Sequence, residues 1–106
     1  MSEFVTLCNV NDLAPGKSRA FALDKKMIAL FHLADGGWAA IDDYCPHMGA
    51  SLAEGTVCDR VVQCPWHAWE FSLDTGKWVN SPKLSIACYD VQVEGDQVKV
   101  RPKTAS

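Results

Sequence analysis

The stretch Cys64-Pro65-Trp66-His67-Ala68-Trp69-Glu70-Phe71-Ser72-Leu73-Asp74-Thr75-Gly76 decides the architecture. From Trp69 onward its period is two: Trp69, Phe71 and Leu73 alternate with Glu70, Ser72 and Asp74, the pattern of a half-buried strand. Asp74-Thr75-Gly76 then supplies turn chemistry before Trp78 and Val79. A hairpin is therefore predicted, rising directly out of the segment that opens with Cys64.

The same period recurs on both sides. Toward the C-terminus, Tyr89, Val91 and Val93 alternate with Asp90, Gln92 and Glu94; Gly95-Asp96 turns the chain, and Val98 and Val100 continue the apolar face. Toward the N-terminus, Phe4 to Cys8 reads as a short strand, Ala14-Pro15-Gly16 as a turn and Met27 to Leu33 as a buried strand. Asp35-Gly36-Gly37 leads into a further strand from Trp38 to Ile41. Asn11-Asp12 can cap one helical turn at Leu13, which Pro15-Gly16 would end. No longer helix, repeat or linker is visible, so an all-β antiparallel sandwich or barrel is expected.

Composition sets the outer bounds. A chain of 106 residues, 48% hydrophobic, suits one small domain, 1–106, with no room for a second catalytic one. A formal net charge of −3 and the lack of any basic cluster beyond Lys25-Lys26 and Arg101 to Lys103 argue against a nucleic-acid partner. The longest apolar run, Met27 to Ala34, is interrupted by His32 and falls short of a membrane span, and Met1-Ser2-Glu3 lacks the features of a signal peptide. A cytoplasmic protein without membrane contact is the expectation. Five cysteines are an odd number for a disulfide framework. Cys8, Cys58 and Cys88 are read as reduced core or loop residues.

The chemistry lies in two short segments. Cys45-Pro46-His47 and Cys64-Pro65-Trp66-His67 each offer one thiolate and one imidazole, with sixteen residues, Met48 to Gln63, between them. Such a quartet can bind a metal centre. Zinc accepts two thiolates and two imidazoles, but its usual order is a Cys pair followed by a His pair; a zinc-stabilised interaction module remains the alternative reading.

From Asp42 to Pro82 the sequence resembles the Rieske iron–sulfur family, above all in Cys64-Pro65-Trp66-His67-Ala68-Trp69-Glu70-Phe71 followed by Thr75-Gly76. It is similar in particular to soluble Rieske ferredoxins and to small subunits of NAD(P)H nitrite reductases. The resemblance implies a [2Fe–2S] cluster, with Cys45 and Cys64 on one iron and His47 and His67 on the other. It also implies a cluster-binding subdomain of about residues 43–83 inserted in a β base domain, with Pro82 on a third loop covering the cluster. Met48, Gly49, Trp66 and Trp69 would form the cluster's environment and docking surface, while Gly49 and Gly55 would serve backbone turns. Trp38, Trp69 and Trp78 are otherwise read as core, and His32 as a packed or rim histidine.

Two departures from the family's respiratory and photosynthetic branch carry meaning. Ala50 and Trp66 stand where that branch places a disulfide between its ligand loops, and Trp69 and Phe71 stand where it places hydrogen-bonding Ser and Tyr hydroxyls. Fewer donors leave the reduced cluster's charge less stabilised, which predicts a potential of about −150 mV, at the low end of the Rieske range. The implied function is single-electron transfer, from a flavin-containing reductase to a terminal oxygenase or to the large subunit of a nitrite reductase. No independent catalytic site is expected: a mononuclear iron needs two His and a carboxylate, and only His32 is left uncommitted.

Overall fold

The computed structural model describes residues 4–23, 26–43, 51–64, 69–79 and 81–102. Eleven antiparallel strands are present among them, in two sheets. In chain order they are β1 (Val5–Asn9), β2 (Lys17–Leu23), β3 (Lys26–His32), β4 (Trp38–Asp42), β5 (Thr56–Cys58), β6 (Val61–Gln63), β7 (Glu70–Ser72), β8 (Lys77–Trp78), β9 (Ser81–Ser85), β10 (Cys88–Glu94) and β11 (Gln97–Pro102). The first sheet runs β1-β11-β10-β4-β3-β2 and the second β5-β6-β7-β8-β9. The whole second sheet is an insertion between β4 and β10 of the first. The fold is all-β, and no helix among the described residues is long and apolar enough to cross a membrane.

β3 explains how the layers meet. Ile28, Ala29, Leu30 and Phe31 are all buried, so alternation by burial disappears there although alternation by face does not. Ile28 and Leu30 join Ala40, Tyr89, Val98 and Val100, with Leu7 of β1 and Phe21 of β2 packed against them. Since β1 and β2 are the two ends of the first sheet, that sheet curls until its edges share one core. Ala29 and Phe31 face the other way and join Ile41, Leu52, Val62, Cys64, Phe71 and Leu73 in the layer between the sheets.

Turn chemistry fixes the registers. Gly36 takes φ +96 between β3 and β4, where Leu33 N donates to Gly37 O at 2.7 Å. Gly95, at φ +62, closes the Glu94↔Gln97 end of the β10–β11 hairpin.

Several expectations need correction. The N-terminal helical turn is a 3-10 turn at Val10–Asp12 capped by Asn9, not by Asn11-Asp12; the Asn9 side chain accepts from Asn11 N while Asp12 accepts from Asn9 N. β2 was not expected from the pattern, because a strand at a sheet edge, covered on one side, carries Lys17, Ser18 and Arg19 along with its apolar residues. Val93 is 42% exposed, so the alternation of β10 outruns the core beneath it. Gly55 does serve a turn, its N–H closing the 3-10 turn on Leu52 O at 3.0 Å, but at an ordinary φ of −79; what calls for glycine there is the close approach of two backbones, since a Cβ would collide with the carbonyl oxygen of Gln63.

Candidate metal centre

Two segments that lie outside the described residues are flanked by residues of the inter-sheet core, and in both the flanks are joined to each other. The first is 44–50, between Asp43, just after β4, and Ser51. Asp43 N donates to Met27 O at 3.0 Å, and Leu52 N donates to Asp43 O at 2.8 Å. The Asp43 carboxylate accepts the Ser51 hydroxyl, 2.8 Å from each oxygen, and Ala53 N–H at 2.8 Å on Oδ1. A 3-10 turn at Leu52–Glu54 follows, anchored by buried Leu52 and Ala53 and tied to β2 where Ser18 Oγ donates to Ala53 O at 2.5 Å.

The second loop, 65–68, lies between Cys64 and Trp69. Gln63 and Glu70 are paired in β6 and β7, and Cys64 N donates to Trp69 O at 2.6 Å, closing the neck one step further along. Trp69 stacks on Trp78 with ring centroids 4.1 Å apart and 13° between planes. Trp78 Nε1 is buried and has no hydrogen-bond partner among the described residues. The β7–β8 turn is fixed by Gly76 at φ +76, where the Ile86 carbonyl occupies the space a Cβ would take.

Cys64 is 2% exposed and belongs to the same buried cluster as Leu52, Ala53 and Phe71. The necks of both loops therefore stand on one floor. A thiolate on an apolar floor carries a desolvation cost that a bound cation offsets, so this sulfur suits a metal ligand. Cys45, His47 and His67 lie outside the described residues, as do Met48, Gly49, Ala50 and Trp66. Of the quartet, the structure places Cys64, together with the residues that flank both segments.

The remaining candidates resolve as follows. Pro82 is not on a loop: its backbone lies in β9, at the end of the second sheet, within the irregular register between Lys77↔Ser85 and Trp78↔Ser81. Proline is tolerated at such a position because an edge strand and a bulge leave N–H groups unpaired anyway. His32 packs as a rim residue, stacked on Trp38 at 3.8 Å with Nδ1 2.7 Å from Leu13 O. Trp69 and Trp78 pack against the inter-sheet core and Trp38 against the inner one. Cys8 is half-buried, and burial, followed by the charge of Asp12, pushes its thiol up. Cys58 is exposed on β5.

Asp43, the one buried charged residue among those described, was missed by sequence reasoning. Nothing local separates it from Asp42. Yet Asp42 turns to the other side, accepting the Tyr89 hydroxyl at 2.7 Å and standing 3.6 Å from Lys26 Nζ.

Comparison with known proteins agrees with this geometry. The family model described as the Rieske [2Fe-2S] domain matches residues 3–99. The ferredoxin component of the alkene monooxygenase system of Xanthobacter autotrophicus is 32% identical over 99 residues, covering 92% of this chain and 80% of the relative. A Mycobacterium tuberculosis protein described as an NADH-dependent nitrite reductase small subunit superposes with a TM-score of 0.86 at 29% identity, over 100% of this chain and 99% of that one. A chain in the complex of reduced oxygenase and oxidized ferredoxin in carbazole 1,9a-dioxygenase superposes with a TM-score of 0.82 at 28% identity, covering 96% and 97%. Other curated relatives are several times longer, and the chain spans 16% of two of them. The chain thus belongs to the Rieske [2Fe–2S] family, and its cofactor is a [2Fe–2S] cluster.

Proposed function

We propose that this chain is the ferredoxin component of a multicomponent oxygenase system, passing electrons one at a time from a flavin-containing reductase to a terminal oxygenase. The observation that carries the reading is that Cys64 and the joined flanks of both Cys/His segments stand on one buried core. In this reading Cys45 and Cys64 hold one iron, His47 and His67 hold the other, and about residues 43–83 form the cluster-binding subdomain. The names of the alkene monooxygenase relative and of the carbazole dioxygenase complex favour an oxygenase as acceptor.

When bound, the cluster supplies reversible one-electron chemistry. The chain's own work is to hold four donors still, so that little rearranges when charge arrives or leaves. The Cys64 N–H bond to Trp69 O fixes the start of the second loop, and the buried floor of Phe31, Leu52 and Phe71 keeps water from the base of the site. Phe71 carries no hydroxyl and is fully buried, and with Trp69 in place of a second hydroxyl donor the potential is set at about −150 mV. Met48, Gly49 and Trp66 would face the partner beside the imidazole edges.

A second reading, the small subunit of an NAD(P)H nitrite reductase acting beside a large subunit, is favoured by the end-to-end superposition on the mycobacterial protein. Visible absorption and low-temperature EPR, with iron and acid-labile sulfide counted on the same sample, test the shared core of both. About two iron and two sulfide per chain and a signal of low average g on reduction are expected; stoichiometric zinc without a cluster after anaerobic reconstitution would leave a zinc-stabilised module instead. Potentiometry giving a value well above zero would overturn the low-potential expectation. Reduced protein should then be reoxidised by a terminal oxygenase with substrate and not by a nitrite reductase large subunit with nitrite; the opposite preference would select the second reading.

A further inference from the structure

We infer that Asp43 is the positioning residue of the first ligand loop: its carboxylate, bridged to Ser51 and Ala53, closes the base of the segment that carries Cys45 and His47. The inference rests on the ligand set proposed above. Ala50 and Trp66 leave no disulfide available between the loops, so each loop must be held at its own base. The second needs little, since only residues 64–69 lie between the paired strands β6 and β7, and Cys64 N already donates to Trp69 O. The first is longer, 44–50, and is followed by a bridge residue, Ser51, and a 3-10 turn rather than by a strand. Among the described residues one main-chain bond crosses its ends, Leu52 N to Asp43 O, and a side chain reinforces it.

The geometry suits the task. Asp43 is 8% exposed, which makes its contacts hard for water to replace. Both carboxylate oxygens lie 2.8 Å from Ser51 Oγ, and Oδ1 also accepts from Ala53 N–H at 2.8 Å. Hydrogen bonds to an ionised acceptor are the strong kind, and these join the residue before the loop to the first and third residues after it. Main-chain bonds from Asp43 N to Met27 O and from Leu52 N to Asp43 O extend the clamp onto β3. Ser18 Oγ to Ala53 O extends it onto β2. Asp43 touches no reacting atom in this account; it acts through the position of Cys45 and His47.

The test compares Asp43→Ala, Asp43→Asn and Ser51→Ala on protein as purified, with two readouts. Cluster release to a chelator under anaerobic conditions should be about tenfold faster in Asp43→Ala, the factor expected for losing charge-assisted hydrogen bonds. Asp43→Asn keeps a carbonyl oxygen for Ser51 and Ala53 but loses the charge, so it should fall between wild type and Asp43→Ala, as should Ser51→Ala. Hydrogen exchange should quicken at the Leu52 and Ala53 amides in Asp43→Ala and stay unchanged at Val91 and Val100. Wild-type release and exchange in Asp43→Ala would overturn the inference, and so would an equal acceleration in β10 and β11, which marks general destabilisation. If Asp43→Ala does not fold, Ser51→Ala decides: faster release supports the clamp and a wild-type rate overturns it. A wild type without a cluster would sink the ligand set, while exchange at Leu52 and Ala53 would still judge the clamp.

Discussion

In the first sheet β3 pairs with β2 from Lys17↔His32 to Leu23↔Lys26 without a break; in the second, β7 meets β8 at the single pair Phe71↔Trp78. Strands of five to seven residues supply enough alternation to bury both faces of β3, whereas four of the second sheet's five strands have only two or three residues and carry little ladder of their own. The second sheet is held instead by special backbone and by its floor. Asp59 and Arg60 take left-handed φ values of 50 and 62 in the two-residue β5–β6 turn, Gly55 lies against Gln63, and Phe71 fills the centre. The part proposed to carry the cluster is thus the part with the least ladder of its own. Its order depends on side chains that the first sheet could spare.

Removing the floor tests this most severely. Phe71→Ala empties a fully buried site beneath Cys64 and Leu52 and should cost about 3–5 kcal/mol. Urea unfolding would measure the loss, with cluster retention falling before β10–β11 amides lose protection. Ile28→Val, in the inner core of the first sheet, should cost only about 0.5–1.5 kcal/mol and leave the cluster in place. If both variants lost protection uniformly, the two sheets would be one cooperative unit and the comparison would fail.

Gly55→Ala probes the backbone rather than the core. The new Cβ meets the Gln63 carbonyl, which cannot rotate away, so the 3-10 turn must separate from β6. About 1–3 kcal/mol should be lost, as in other overpacked sites, measurable as a lower urea midpoint. A neutral Gly55→Ala would show that the join between the two loop bases is looser than drawn.

What was legible in the sequence follows period and turn chemistry rather than the division between sheets: β7 and β8 of the second sheet show in the alternation after Trp69 and the turn Asp74-Thr75-Gly76, whereas β2 of the first does not. The β3, β4, β10 and β11 strands and their glycine turns show in period and punctuation because long amphipathic strands and φ-positive glycines leave local marks. β5 and β6 leave none: three residues carry no period, and their turn uses Asp59-Arg60 where Gly would have announced it. At the site, the proposed donors are marked by residue type alone, and of them Cys64 stands at the base of the predicted hairpin. Asp43 was hidden because its role arises from the return of Ser51 and Ala53 after the loop, a tertiary fact with no local signature.

Tyr89 sharpens the comparison from the side of the first sheet. Its phenol is raised from the ordinary 10.0, first by burial and then by its hydrogen bond to Asp42. A folded value above the unfolded one favours the protonated form, so this contribution is complete below about pH 10 and is lost as the pH rises beyond it. Tyr89→Phe should cost about 1.5–2 kcal/mol at neutral pH, as the hydrogen bond to a carboxylate disappears, and should flatten the alkaline decline in stability. An alkaline slope unchanged by the substitution would place the titrating group elsewhere. Cluster retention should follow global stability here and no more.

The smallest effect belongs to Arg60, where two terms oppose. A side chain at φ 62 costs about 1–2 kcal/mol relative to glycine, although glycine returns part of that through the freedom it gains in the unfolded chain. Against it stands the ion pair with Asp74, in which Nε donates to Oδ1 at 2.7 Å and Nη2 lies 2.6 Å from the same oxygen; the hydrogen bond to Asp74, and after it that carboxylate's charge, hold the guanidinium pKa up. Both side chains are well exposed, which limits the pair to about 0–1 kcal/mol. Arg60→Gly should therefore change stability by less than about 1 kcal/mol at low salt and become more favourable as salt rises, because screening weakens only the pair. Urea midpoints of both proteins at two ionic strengths decide it. A large loss that is insensitive to salt would mean that Arg60 holds the β5–β6 and β7–β8 turns together by packing, and the second sheet would then owe its order to that bridge as well as to Phe71.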